Sequence, residues 1–413
     1  MRHQAAAQHV EHPLNFHLQR RWAARLGHRW YRHLFDRFLL LPLGAAIALI
    51  WANSAPESYF SFTQRISFPV NEIGMAFFFA LMTQEVVEAA MPGGALHSWR
   101  RWGLPIVAAA GGIIGSVSVY LAFVNASYQS VLSLGWPAAC AIDVAAAYYV
   151  LKAILPRSGA LPFVLLIGIA TNAFGMFVVA PRHLVLATHV GGAVLMLIAI
   201  GLAGVMRAIG IRAFVPYLAI CGTISWFAFF WSGLHPAFAL VPIVPFLPHE
   251  PRRLDLFADP PDDDATHHFE HEWNALVQGI LFLFGLVNAG VMLRGYGTGS
   301  WAVLAAALVG RPAGILAAVG LAVLAGLHLP RRLGWRELVV VALASSSGFT
   351  IALFFATAVV AIGPLLAQIT IGALATGVGA LLALGAARLL HIGRFARRSA
   401  EKEGVHGFQP ESR

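Results

Sequence analysis

The sequence predicts an all-α, polytopic membrane protein with about a dozen transmembrane helices, built as an inverted repeat with two broken helices. Three observations predict it. The first is composition: of 413 residues 58% are hydrophobic and only 11% charged, with a mean hydropathy of +0.71. A soluble domain carries about 25% charged residues, so a soluble enzyme is excluded at the outset. The second is a series of apolar runs, each of the ~20 residues that cross a hydrocarbon core. The third is the distribution of arginine among the loops between them.

In chain order the runs fall near 38–53, 68–91, 103–125, 131–155, 161–180, 184–206, 213–231, 233–247, 273–294, 300–327, 337–360 and 362–388. The run at 233–247 is the weakest, being short and interrupted by Pro236, Pro242 and Pro245. Residues 53–68 and the stretch around 125–131 read as short outside loops. One set of alternate loops holds Arg100, Arg101, Lys152, Arg157, Arg207, Arg212, Arg252, Arg253, Arg331, Arg332 and Arg336, whereas the other holds only Arg65, Arg182 and Arg294. By the positive-inside rule the first set is cytoplasmic, and both basic termini share that side. The net charge of +9 is therefore mostly topology-setting arginine, and nucleic-acid binding is not needed to explain it.

Three regions follow: a basic N-terminal segment (1–35), a membrane domain (36–390) and a basic tail (391–413) that reads as disordered. In the first, Leu14, Leu18, Trp22 and Leu26 recur at helical spacing among Arg20, Arg21, Arg25 and Arg29, as in a helix lying on the cytoplasmic leaflet. A disordered basic tail is the alternative, given Pro13 and Gly27. No signal-peptide core is present, so no cleavage is expected. Cys140 and Cys221 lie inside apolar runs and suggest neither a disulfide framework nor a metal site.

Few ionisable residues remain at membrane depth: Asp143, Arg311, Glu85 and Glu88. An intramembrane charge costs at least about 2.5–3.5 kcal/mol, so each needs a partner or a function. Asp143 follows Pro137 among small residues, where a helix can break; Arg311 precedes Pro312. The two either form a buried ion pair that fixes packing or carry the chemistry. Glu85 and Glu88 sit in the last turns before the loop of Arg100 and Arg101, where water is near, and Glu72 reads as interfacial. A second break is expected at Ser345, Ser346, Ser347 and Gly348. Equivalent breaks in two halves place a binding site where the broken helices cross; close packing by small residues is the other account of the serines.

The chain resembles the NhaA-type sodium/proton antiporters. The motifs that carry the resemblance, in order, are NEIGMAFFF (71–79), QEVVE (84–88), PIVAAAGGIIG (105–115), WPAACAIDVA (136–145), SGLH (232–235), NAGV (288–291), GRPAGI (310–315) and SSGFTIALFFA (346–356). The resemblance implies crossed, unwound fourth and eleventh helices, a bacterial inner-membrane location and a homodimer. It also implies an aspartate on the fourth helix, matched by Asp143, an aspartate pair on the fifth, and a lysine on the tenth. Here the pair falls on Thr171 and Asn172, and the lysine on Arg311. Glu85 matches a glutamate of the family's pH-response region; Glu88 and His235 join it as candidates for pH response.

Neither Thr171 nor Asn172 can carry a negative charge, so Asp143 is left as the one carboxylate of the site. Three readings stand. One is monovalent cation (Na+ or Li+)/proton antiport through Asp143, with Thr171, Asn172 and Ser345, Ser346 and Ser347 lending neutral oxygens. Another is transport of an anionic or polar organic solute facing Arg311. The third is a sensor or scaffold that does not transport. No cofactor is implied. An enzymatic alternative rests on Asp262, Asp263 and Asp264 with His267, His268 and His271, which could hold a divalent metal with a diphosphate, or zinc. Prenyl-transfer chemistry wants a second acidic cluster, which is absent, and a solvated cytoplasmic loop is the plainer account.

Overall fold

The computed structural model describes residues 40–90, 99–156, 158–181, 190–211, 213–247, 265–330 and 333–396. The N-terminal segment, most of the C-terminal tail and Asp262, Asp263 and Asp264 lie outside the described residues, as do the side chains of Glu85, Glu88, His267, His268 and His271.

The described chain is helical throughout and forms no strand. In order its helices are α1 (Leu40–Ser54), α2 (Pro56–Phe68), α3 (Met75–Ala90), α4 (Trp99–Ala126), α5 (Trp136–Cys140), α6 (Val144–Ile154), α7 (Ala160–Val179) and α8 (Val190–Ala208). They are followed by α9 (Thr223–Trp231), α10 (Ala265–Asn288), α11 (Thr298–Ala305), α12 (Arg311–Leu324), α13 (Trp335–Ala344), α14 (Phe349–Val359), α15 (Pro364–Ala375) and α16 (Val378–Leu389). Among the described residues six helices are long and apolar enough to cross a membrane, or eight if each of two bent pairs is one span. Three more apolar helices, Leu40–Ser54, Tyr217–Trp231 and Leu276–Asn288, are shorter.

Three expectations change. Residues 53–68 are not a loop: Pro56 opens α2, which runs into α3 through a π-helical turn at Pro69–Gly74, giving one rod from Pro56 to Gln84. The wider turn absorbs Pro69, which has no N–H for an ordinary α bond. The run at 233–247 folds as two 3-10 turns, Pro236–Phe238 and Val244–Phe246, because its prolines remove the donors that a longer helix needs. The 262–272 segment is not all loop, since α10 begins at Ala265 and carries His267, His268 and His271 on its backbone.

Lipid is as apolar as a leucine side chain, so close packing rather than hydrophobicity holds such helices together. One very close approach is between α4 and α12. A Cβ added to Gly111 would strike the Gly314 carbonyl, and one added to Gly115 the Gly310 carbonyl. At the reciprocal positions Gly310 and Gly314 meet the carbonyls of Gly115 and Gly111. Backbone therefore touches backbone, and the crossing delivers Arg311, at the start of α12, into the centre of the molecule.

Candidate functional site at the crossed helices

Helices α5 and α6 are bent by 48° across Ala141–Asp143, and α13 and α14 by 47° across the serine segment. The local sequence accounts for both breaks. At the first, Ala141 and Asp143 take extended backbone, and Asp143 Oδ1 caps the new helix by accepting the Ala146 N–H at 3.1 Å. At the second, Ser345 and Ser346 donate their hydroxyls to the carbonyls of Val341 and Ala342, at 2.8 and 3.3 Å. Such back-bonding weakens a helix. Gly348 then lets the two unwound segments meet, because a Cβ there would strike the Ala141 carbonyl. The Asp143 N–H donates to the Ser347 carbonyl at 2.7 Å, tying one break to the other. The Gly348 N–H donates to Thr376 Oγ1 at 3.1 Å.

Four half-helix ends thus converge, and the side chains sort them by sign. Arg311, 1% exposed, donates through Nη1 to the Ser345 carbonyl at 2.7 Å and through Nη2 to the Ala139 carbonyl. These carbonyls belong to the C-terminal ends of α13 and α5. Such ends present partial negative charge to the guanidinium, whose Nε is buried without a hydrogen-bond partner. Asp143 faces the opposite ends: it caps α6, and its Oδ2 accepts the hydroxyl of Thr350, in the first turn of α14, at 2.7 Å. Among the described residues no ion pair joins Asp143 to Arg311. In place of an ion pair, each side chain meets helix termini of opposite sign. Asp143 stays half-buried while Arg311 is sealed.

Asn172, also 1% exposed, grips the unwound segment at both polar groups of one residue. Its Nδ2 donates to the Ile142 carbonyl at 2.9 Å, and its Oδ1 accepts the Ile142 N–H at 3.2 Å. The backbone that lost its helical bonds regains a full pair from one amide. The hydroxyl of Thr171 is buried with no hydrogen-bond partner, and Ser347 supplies its carbonyl to Asp143. Thr350 escaped the sequence reading. The signal available for it was a hydroxyl two residues beyond Gly348, at the start of a half-helix.

Outside this centre, Glu72 is buried within the protein. It lies in the π turn at 3% exposure, with its Oε2 3.3 Å from His235 Nδ1.

A model of the family described as Na+/H+ antiporter 1 matches residues 35–389. The chain belongs to that family. It is similar to the Na(+)/H(+) antiporter NhaA of Desulfitobacterium hafniense, 36% identical over 365 residues that cover 85% of this chain and 94% of that protein. It is similar also to the Na(+)/H(+) antiporter NhaA of Geotalea uraniireducens, 38% identical over 325 residues covering 76% and 84%. With the Na(+)/H(+) antiporter NhaA 1 of Pelobacter propionicus the identity is 36% over 380 residues, 88% and 99% of the two chains. The protein is accordingly a multi-pass membrane transporter of the NhaA family and not an enzyme.

Proposed function

We propose that this NhaA-family chain exchanges a monovalent cation, Na+ or Li+, for a proton by alternating access, with Asp143 holding either one or the other. The carrying observation is the pairing of Asp143 with Thr350 at two helix N-termini, in a centre whose fixed positive charge, Arg311, is already consumed by two C-termini. A half-buried carboxylate that exchanges H+ for Na+ keeps the same net charge in both loaded states. One proton per monovalent cation is then an electroneutral cycle. Thr350 Oγ1 lends a neutral oxygen, and Thr171 Oγ1, buried and unpartnered, is the proposed second. Asn172, Ser345 and Ser346 spend their polar groups on backbone and hold the unwound segments in shape. An anionic solute finds less support, since both terminal nitrogens of Arg311 are engaged by carbonyls and its side chain is sealed. The arginine-rich loops orient both termini to the cytoplasm of a bacterial inner membrane. Glu85, Glu88 and His235 are the groups proposed to tune the rate with pH.

The test is cation-driven proton movement in everted vesicles and in liposomes. Wild type should respond to Na+ or Li+, with an apparent cation KM that rises as pH falls because protons compete for Asp143. Asp143→Asn should abolish the response. Silence of the wild type toward Na+, Li+ and K+ across the pH range would sink antiport and leave a non-transporting homologue.

A further inference from the structure

We propose that Thr376, in the last membrane span, is a positioning residue for the exchange: it sets the first turn of α14 and, through that turn, the Thr350 hydroxyl that meets Asp143. The inference rests on the antiport reading and adds to the centre a part of the chain outside the two broken helices.

Residues Pro364–Leu389 form one apolar span, yet α15 does not pass into α16 unchanged. Around Thr376 and Gly377 the backbone tightens. The Gly379 N–H donates to the Thr376 carbonyl at 2.9 Å and the Ala380 N–H to the Gly377 carbonyl at 3.2 Å, each three residues back. Such 3-10 bonding inside a long helix marks a place under local constraint. Here the last span also meets the second break. A Cβ added to Gly379 would lie 2.9 Å from Ser346 Cβ and 3.0 Å from the Ser347 nitrogen, so the backbone of the span sits directly on the unwound serine segment.

Thr376 is 1% exposed, and its hydroxyl is engaged on both sides. It donates to the Ala373 carbonyl at 2.6 Å and accepts the Gly348 N–H at 3.1 Å. A hydroxyl has one hydrogen to give, so giving it within its own span leaves the oxygen lone pairs for Gly348. Helix starts leave their first N–H donors without helical partners. Gly348 is the N-cap of α14 and makes no side-chain cap bond; the acceptor for its own N–H comes from another span.

The segment that carries Thr350 is therefore tied at three points. The Ser347 carbonyl accepts the Asp143 N–H at 2.7 Å, the Gly348 N–H is held by Thr376, and the Thr350 hydroxyl donates to Asp143 Oδ2 at 2.7 Å. Two of these ties run to Asp143, the residue whose load must change. The tie to Thr376 does not, and it keeps the turn in place while Asp143 exchanges one partner for another. With that hydroxyl gone, a buried N–H has lost its acceptor and the turn shifts to find a new one. Thr350, two residues on, shifts with it. A packing role alone would ask only for the volume of threonine, which valine supplies.

The experiment uses the full-length protein, purified and reconstituted in liposomes, as wild type, Asp143→Asn, Thr350→Val, Thr376→Val, Thr376→Ser and the double variant with valine at both threonines. Thr376→Val should raise the cation KM about threefold to tenfold while the maximal rate stays within about twofold, and Thr376→Ser should restore the wild-type KM. Because Thr376 acts through Thr350, valine at 376 should add less than about twofold to a KM already raised by Thr350→Val, whereas independent effects would multiply. Hydrogen–deuterium exchange of the peptide from Ser345 to Ala352 reads the turn without transport: it should quicken about tenfold in Thr376→Val and stay near wild type in Thr376→Ser. If Thr376→Val does not fold, Thr376→Ala carries the same readouts. A wild-type KM and wild-type exchange in Thr376→Val, or KM effects of the two valines that multiply, would overturn this inference alone. Wild-type transport by Asp143→Asn would overturn the antiport reading instead.

Discussion

Replacement of Arg311 separates a residue that braces two helix ends from one that greets a solute. Its two terminal nitrogens make charge-assisted bonds to the carbonyls of Ser345 and Ala139. A hydrogen bond to a charged group contributes about 1.5–3 kcal/mol, so removing both puts about 3–6 kcal/mol at stake in Arg311→Met. Part is recovered, because a desolvated guanidinium is costly and methionine is not. A net loss of about 2–4 kcal/mol is expected. Arg311→Lys keeps the charge but not the planar fork, and one ammonium bridges two carbonyls less well. Its loss should be about half as large. Thermal unfolding of the detergent-purified protein, followed by tryptophan fluorescence, should rank wild type above lysine and lysine above methionine. Antiport should survive in lysine and fail in methionine. A methionine variant as stable as wild type, or a lysine variant less stable than methionine, would refute the account of Arg311 as the common cap of α5 and α13.

Other outcomes follow from the same geometry. Thr350→Val keeps the shape and removes the hydroxyl from Asp143 Oδ2, so the cation KM in reconstituted liposomes should rise by about tenfold, as for ~1.4 kcal/mol of binding, with Thr350→Ser close to wild type. Asn172→Asp should be destabilised by about 1–3 kcal/mol in thermal unfolding, since an oxygen replaces the nitrogen that donates to the Ile142 carbonyl. Gly314→Ala should lower expression and melting temperature by forcing α4 and α12 apart at Gly111, whereas Gly385→Ala, which meets nothing, should be silent.

Much of the fold was legible because its determinants are local. Pro137 and Asp143 announced one break, and four consecutive small residues from Ser345 announced the other. What escaped was non-local or amphipathic. Helix α2 was read as a loop because its polar face hides it from a search for apolar runs. Glu72 was placed at an interface because a glutamate ordinarily marks the end of a span; nothing in its neighbourhood reveals that His235 will arrive from another part of the chain. The candidate site shows the same division. Asp143 and Arg311 stood out as charges among apolar residues, yet what each one meets is decided by crossing geometry. Thr350 lies 207 residues from Asp143 in sequence, and Ala139 lies 172 residues from Arg311. Asn172 was recognised as a missing charge; only the folded chain shows it as a clamp on Ile142.

The glycine crossing of α4 and α12 limits how the protein can move. Where two backbones interlock at Gly111, Gly115, Gly310 and Gly314, neither helix can slide without first lifting over the carbonyls of the other. The same contacts, with the bonds of Arg311 to the half-helix ends, tie these elements into one unit. Contacts between rings carry no such interlock, because side chains can change rotamer where peptide groups cannot. The rings of Phe354, Phe79 and Phe238, 4.6 to 5.5 Å apart centroid to centroid, meet in such a contact.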